Sequence, residues 1–450
     1  MTGTTGGPLR LLVRALDAGS TYLLFRWVDK PDEHWVRRLE PPTVAKVTAL
    51  LDAALIGDSV GAGEQEARRA LSGPLCGLSS ERDWSAELAE LVIGDRVCRE
   101  ITERAAEGPI SIEFTPSPAL ARVPLDLLPV EGDTRVMEKA TLVYAPLSAL
   151  HAGRKKRPDE WAAVADRPVC YVIDPDAPDA AGLSQLLPPV WVGGHTNTSL
   201  FANLLERTEH TANSGVRQWI SRWLLRDDLL TRPSRLLYFG HVSGTLNQPG
   251  SASLHLSDSE YTWGLAAIHG GSHRPLSALD LVYGTVTYPG TADGTVERAL
   301  RNIPGHELWP MPARVAIIAC EGGSDYRSSE VFGLVTACMN AGAELVSTTR
   351  WTLPSDGAVS RFASGPDVSE VPGPTTELAL AVDAAHRGAD PSAELNDWRR
   401  NQLHRWRATG EVSARNTPLV WASLTDHVCR WRPPHQRSER GTDCLLYTSP

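Results

Sequence analysis

Short runs that are apolar at nearly every position most constrain this chain: Val169-Cys-Tyr-Val-Ile173, Arg235-Leu-Leu-Tyr-Phe239 and Arg314-Val-Ala-Ile-Ile-Ala319, with a less regular one at 344–350. A run without alternation has no polar face, so as a strand it must be covered on both sides. Segments of helical period separate these runs, at 199–208, 216–230, 329–341, 376–386 and 393–407. Helices alternating with such strands imply an α/β fold, a mainly parallel sheet sandwiched by helices. Further strands are expected at 110–114, 120–128, 140–145 and 419–424. In an open sheet of this kind, loops at the carboxyl ends of neighbouring strands share one crevice. Two runs carry reactive residues to that edge, one stopping at Gly240-His-Val-Ser-Gly244 and the other at Cys320-Glu-Gly-Gly-Ser-Asp325.

The first hundred residues have a different texture. Residues 9–16 and 21–28 flank Asp17-Ala-Gly-Ser20 and read as a hairpin, and helical period follows at 44–55, 64–71 and 85–105. Leu88, Leu91, Val92 and Val97 form the expected buried face. The organisation expected is a small hairpin-plus-helices N-terminal region at 1–108, the sheet domain at 109–430, and a tail at 431–450 that loses periodicity and reads as disordered or non-native. Two Gly- and Pro-rich stretches, 285–312 and 364–376, border the candidate site in sequence and read either as cleft walls or as surface insertions.

Composition narrows the function. With 44 basic and 54 acidic residues the net charge is −10, which argues against a nucleic-acid backbone as partner. The start shows no basic region followed by an apolar core, and no apolar stretch reaches the roughly 18 residues of a membrane span. A cytoplasmic protein without direct membrane association is expected. The seven Cys, at 76, 98, 170, 320, 338, 429 and 444, lack the paired spacing of a zinc site or a disulfide framework. No two-His helical spacing and no phosphate-cradling loop with Lys occurs, so neither metal nor cofactor is expected.

Taken singly, Cys320 and His241 are better explained as packed residues, because Cys is among the most buried types. Their joint position at strand ends, each followed by small residues that let a peptide approach, favours a nucleophile and its base. Glu321 would oppose a thiolate if it faced the sulfur, whereas a helix start near Ser328-Ser-Glu330 would favour one. Cys338, among Val335, Ala337 and Met339, is expected in a core. His195 and His255 have no partner at a defined spacing. Ser243 stands one place too late for a Gly-x-Ser-x-Gly nucleophile elbow.

Several segments, in order, resemble a CHAT domain, a branch of the caspase-like cysteine peptidases. Residues 110–128, with Arg122-Val-Pro-Leu-Asp-Leu-Leu128, resemble its early strand and turn; Val143-Tyr-Ala-Pro-Leu-Ser148 resembles the segment after it. Leu236-Leu-Tyr-Phe-Gly-His241 is similar to its His strand, and Val315-Ala-Ile-Ile-Ala-Cys-Glu-Gly-Gly323 to its Cys box. Phe332-Gly-Leu334 through Arg350-Trp351 is similar to the helix and Trp-ending strand that follow. The resemblance implies a caspase-like fold and a bacterial cysteine endopeptidase: His241 the general base, Cys320 the nucleophile, and the backbone N–H groups of Val242 and Cys320 the oxyanion hole. It implies a protein substrate and regulated proteolysis in antiphage defence or programmed cell death, with a co-encoded gasdermin-like pore former as one concrete partner. Asp174, Trp351 and Asp356 are candidates for the pocket of the residue before the scissile bond, where an Asp would favour Arg or Lys. For Asp356 the alternative is the cap of a short helix. Val242 stands where the family usually has a small residue, and its side chain is expected to narrow the pocket. A catalytically inactive CHAT-fold scaffold or signalling module that only binds peptide is the other reading left open.

Overall fold

The computed structural model of the chain describes residues 7–57, 63–146, 156–177, 219–244, 248–285, 303–320, 333–364, 372–408, 412–413 and 415–429. The expected helix at 199–208, Glu321, the expected helix start at 328–330, His195 and the tail at 431–450 lie outside the described residues.

The strands are β1 (Leu9–Ala18), β2 (Ser20–Trp27), β3 (His34–Leu39), β4 (Ile110–Thr115), β5 (Pro129–Glu131), β6 (Thr134–Arg135) and β7 (Ala140–Tyr144). There follow β8 (Cys170–Ile173), β9 (Arg235–Ser243), β10 (Ser253–Leu254), β11 (Leu276–Ser277), β12 (Arg314–Cys320), β13 (Leu345–Thr349) and β14 (Leu424–Val428). Apart from β5 and β6, which pair with each other, they form one 12-stranded sheet in the order β11-β10-β9-β12-β13-β14-β7-β4-β1-β2-β3, with β8 also paired to β9. Its centre is parallel across β8–β9–β12–β13 and again across β14–β7–β4–β1. Antiparallel pairs close both ends and join β13 to β14.

The unbroken apolar runs have the expected cause. Leu236, Tyr238, Val315 and Ile317 share a core with Leu225, Leu229, Ala278 and Leu281, from helices Arg222–Leu230 and Ala278–Tyr283. The alternate residues Leu237, Phe239, Ala316 and Ile318 share the other core with Leu378, Val382 and Trp406, from helices Pro374–Ala385 and Pro391–Ala408. Both faces of β9 and β12 are therefore covered, each fully buried aliphatic or aromatic side chain contributing about 1.5–3 kcal/mol.

Several local expectations are corrected. Residues 120–128 form no strand but two 3₁₀ turns, Pro118–Leu120 and Leu125–Leu127, because Pro124 cannot donate to a ladder. The run at 419–424 starts as a helix, Pro418–Trp421, whose cap Thr417 accepts from the Leu419 N–H at 3.2 Å; β14 begins only at Leu424. The helix expected at 85–105 is two, Leu78–Val92 and Gly94–Ala105, broken at Gly94 with φ +67°. The N-terminal hairpin turns at Gly19, adds β3, and extends the sheet: β1 runs parallel to β4 from Leu9↔Ile110 to Arg14↔Thr115. Strands on either side of residue 108 are thus direct neighbours. Among the described residues no helix is long and apolar enough to cross a membrane.

Candidate active site

β9 and β12 are adjacent and parallel, in register from Arg235↔Arg314 to His241↔Cys320. Paired positions on neighbouring strands share a face of the sheet. The alternation that assigns Leu237 and Phe239 to one core assigns position 241 to that same face, at the carboxyl edge, where its register partner is Cys320. On the other side of β9, β8 ends at Ile173↔Phe239, and the Asp174 N–H donates to the Phe239 carbonyl at 2.6 Å. Asp174 is buried with φ +44°, a left-handed conformation that Asp tolerates better than most side chains. Trp351 follows β13 by two residues. Asp174, His241, Cys320 and Trp351 therefore stand in sequence along the carboxyl ends of β8, β9, β12 and β13.

The backbone around His241 is tied down from the opposite face. The Tyr238 hydroxyl donates to the His241 carbonyl at 2.5 Å and also reaches the His255 carbonyl at 2.9 Å. The His255 N–H donates to the His241 carbonyl at 3.1 Å. The Tyr238 ring lies so near Gly240 that an added Cβ would stand 2.5 Å from its hydroxyl oxygen, which explains the glycine before His241. Val242 is buried in the core that holds Leu236 and Leu254, on the face opposite His241. Its side chain therefore does not narrow the space beside His241, contrary to expectation, since successive strand residues point to opposite faces.

Sequence reasoning missed the neighbours of His241. β10 pairs with β9 through Ser253↔Ser243 and Leu254↔Val242, which brings His255 level with His241. His255 Nε2 is 2.7 Å from Ser243 Oγ, His255 Nδ1 is 3.1 Å from His273 Nε2, and His273 Nδ1 is 2.6 Å from the Asp258 carbonyl. His269 stands edge-on to His255, ring centroids 5.0 Å apart. Burial, then the cations His273, His269 and His241 would become, hold the His255 pKa well below its ordinary value. Burial likewise lowers His273 and His269. The available signal was crowding, since His255, His269 and His273 fall in one short stretch of a chain with 13 His.

The polar atoms of the remaining candidates are engaged by the chain itself. Trp351 is buried, its Nε1–H donating to the Leu419 carbonyl at 2.8 Å. Asp356 is buried with its two carboxylate oxygens accepting from Thr375 N–H at 2.9 Å and Thr376 N–H at 3.2 Å. It thereby caps helix Pro374–Ala385, and Gly373 makes room for it. Burial pushes its carboxyl pKa up against these amide bonds. Cys338 is buried in the core of helix Leu334–Asn340. Among the described residues no group of three or more His, Cys, Asp or Glu could hold a metal ion.

A mainly parallel sheet that sets a His beside a Cys at its carboxyl edge defines an α/β protein with a candidate thiol–imidazole site. Residues 82–426 match the model of the CHAT domain, and the chain belongs to that family. Among solved structures it is similar to a chain of the Saccharomyces cerevisiae separase–securin complex, with a TM-score of 0.41 and 8% identity. That similarity covers 93% of this chain and 30% of the other. No curated protein matches the sequence.

Proposed function

We propose that the protein is a cysteine endopeptidase that cleaves a protein partner through His241 and Cys320. The observation that carries this reading is the register pair His241↔Cys320 on adjacent parallel strands. Neighbouring strands are about 4.8 Å apart, a separation at which an imidazole can take the proton of a thiol on the next strand. In the reaction the Cys320 sulfur attacks the scissile carbonyl carbon while His241 takes its proton. The N–H groups of Cys320 and Val242 stabilise the tetrahedral oxyanion. The His241 carbonyl turns toward β10, so alternation along the strand turns the Val242 peptide toward β12, the side of Cys320. His241 then protonates the leaving amine as the C–N bond breaks, leaving a thioester on Cys320. Water deprotonated by His241 cleaves the thioester, releases the acid and restores the thiol.

Asp174, buried at the neighbouring strand end, is the candidate for a pocket that favours Arg or Lys before the scissile bond. Trp351 and Asp356 are further candidates for the walls of that pocket, their polar atoms engaged by Leu419 and by Thr375 and Thr376. Membership of the CHAT family supports a peptidase reading; regulated proteolysis in the cytoplasm, in antiphage defence or programmed cell death, is the role we propose for it, with a co-encoded gasdermin-like pore former as the partner to test. Co-expression of the two should yield a cleaved partner with the wild-type chain, and an intact one with Cys320→Ala or His241→Ala. If wild type and Cys320→Ala leave the partner equally intact, the peptidase reading fails and the peptide-binding scaffold replaces it.

A further inference from the structure

Ser243 ends β9 two residues beyond His241 and is half-buried. Its hydroxyl is the outer end of a file of polar groups that runs inward through His255 and His273 to the Asp258 carbonyl. The last acceptor assigns every hydrogen in that file. A carbonyl only accepts, so His273 carries its hydrogen on Nδ1 and, being neutral, offers a lone pair at Nε2. His255 must then donate from Nδ1, which leaves the lone pair on its Nε2 aimed at Ser243. The hydroxyl donates its hydrogen to that nitrogen across 2.7 Å. A hydroxyl within reach of a base that a third group orients is the arrangement of an activated nucleophile.

We propose that Ser243 is a second nucleophile of this protein, with His255 as its base and His273 as the residue that positions His255, acting on acyl and phosphonyl electrophiles with good leaving groups. The proposal is independent of the chemistry assigned to Cys320.

The frame around the file is rigid. Ser243 and His255 are diagonal neighbours on one face of the β9–β10 ladder, whose register fixes their approach. Arg222 holds the loop that supplies the other two members. Its N–H donates to the Asp258 carboxylate at 3.0 Å, and its guanidinium donates to the carbonyls of Trp263 at 2.6 Å, Arg274 at 2.9 Å and Pro275 at 3.0 Å. His273 is further closed by paired backbone bonds with His269, at 2.6 and 3.2 Å.

The same geometry sets the substrate class. Burial and three neighbouring imidazoles keep His255 neutral at pH 7, so it is ready to accept a proton. Among the described residues the relay ends on the Asp258 carbonyl and not on a carboxylate, so the imidazolium it becomes is weakly stabilised. The base therefore serves a reaction whose leaving group departs unprotonated, as from an aryl ester or a fluorophosphonate, and not the expulsion of an amine. With a fluorophosphonate, Ser243 Oγ forms a bond to phosphorus, the P–F bond breaks, fluoride leaves with its electron pair, and the hydroxyl proton passes to His255 Nε2 and on to solvent.

The test treats the full chain with a biotinylated fluorophosphonate at pH 7 and locates the adduct by peptide mass. An adduct on Ser243 is expected, absent from Ser243→Ala and forming about 100-fold more slowly in His255→Gln, the usual contribution of a general base. A second measurement needs no variant: wild type unfolded in urea should lose Ser243 labelling, because an unassisted serine is inert. No adduct on Ser243 in the native chain, equal labelling of native and unfolded protein, or an undiminished rate in folded His255→Gln would each overturn the proposal.

Discussion

At residue scale, Gly240 and His386 show how position decides the meaning of a residue. Gly240 lies against the Tyr238 ring, and that contact lets the tyrosine hydroxyl hold the carbonyl of His241. Gly240→Ala should force the ring away, lower stability by about 1–3 kcal/mol as overpacking does, and slow the reaction of Cys320 as His241 shifts; urea unfolding and alkylation rates check both. His386 is fully buried, with Nε2 2.8 Å from Ser347 Oγ, and its pKa is lowered to about 3 by burial and then by Arg314 and Arg235. In the unfolded chain it titrates near the ordinary value of about 6.5. Between those limits the unfolded chain binds the extra proton, so this residue reduces stability as pH falls, by about 1.4 kcal/mol per pH unit, and has no effect above pH 6.5. Urea unfolding of His386→Gln between pH 6 and pH 4 should therefore depend less on pH than wild type, by about that slope. Neither role was legible in the sequence, because His386 depends on partners from other strands and Gly240 on how the Tyr238 hydroxyl of its own strand reaches the His241 and His255 carbonyls.

At the scale of elements, the runs that became β8, β9 and β12 were legible because both their faces are buried, which removes every polar position from the pattern. Residues 120–128 and 418–421 look equally apolar yet form turns and a short helix, because Pro124 cannot donate to a ladder and Thr417 caps a helix that Pro418 opens. Arg350, at the end of β13, donates to the Val123 carbonyl at 2.9 Å, the Tyr144 hydroxyl at 2.7 Å, Asp126 at 3.1 Å and the Leu424 carbonyl at 3.0 Å. One buried guanidinium thus joins the 118–127 turns to β7, β13 and β14. Arg350→Met would remove these bonds and leave Asp126 only the longer contact with Arg399, at 3.8 Å, among the described residues, a loss of about 3–5 kcal/mol in urea unfolding. A change under about 1 kcal/mol would show that this network is not what holds those elements together.

At the scale of the whole molecule, one sheet carries two cores, and its carboxyl edge carries the proposed chemistry. His241 and Cys320 were legible as a pair because each ends an apolar run, and parallel order brings such ends together. The relay from Ser243 through His255 to His273 was not legible, since it is assembled by a diagonal contact across an antiparallel ladder and by a loop clamped on Arg222. Val242 and Asp356 were visible as residues but not in orientation, which the alternation of β9 and the start of helix Pro374–Ala385 decide. The proposed peptidase chemistry requires that His241 act on Cys320. Its most direct test is the rate at which iodoacetamide alkylates Cys320 at pH 7 in the wild-type chain and in His241→Gln, with Cys76, its pKa raised by burial to about 11, as an inert internal reference. Cys320 should react far faster than Cys76 in wild type and about tenfold or more slowly when His241 is replaced; equal Cys320 rates in the two folded proteins would contradict the account.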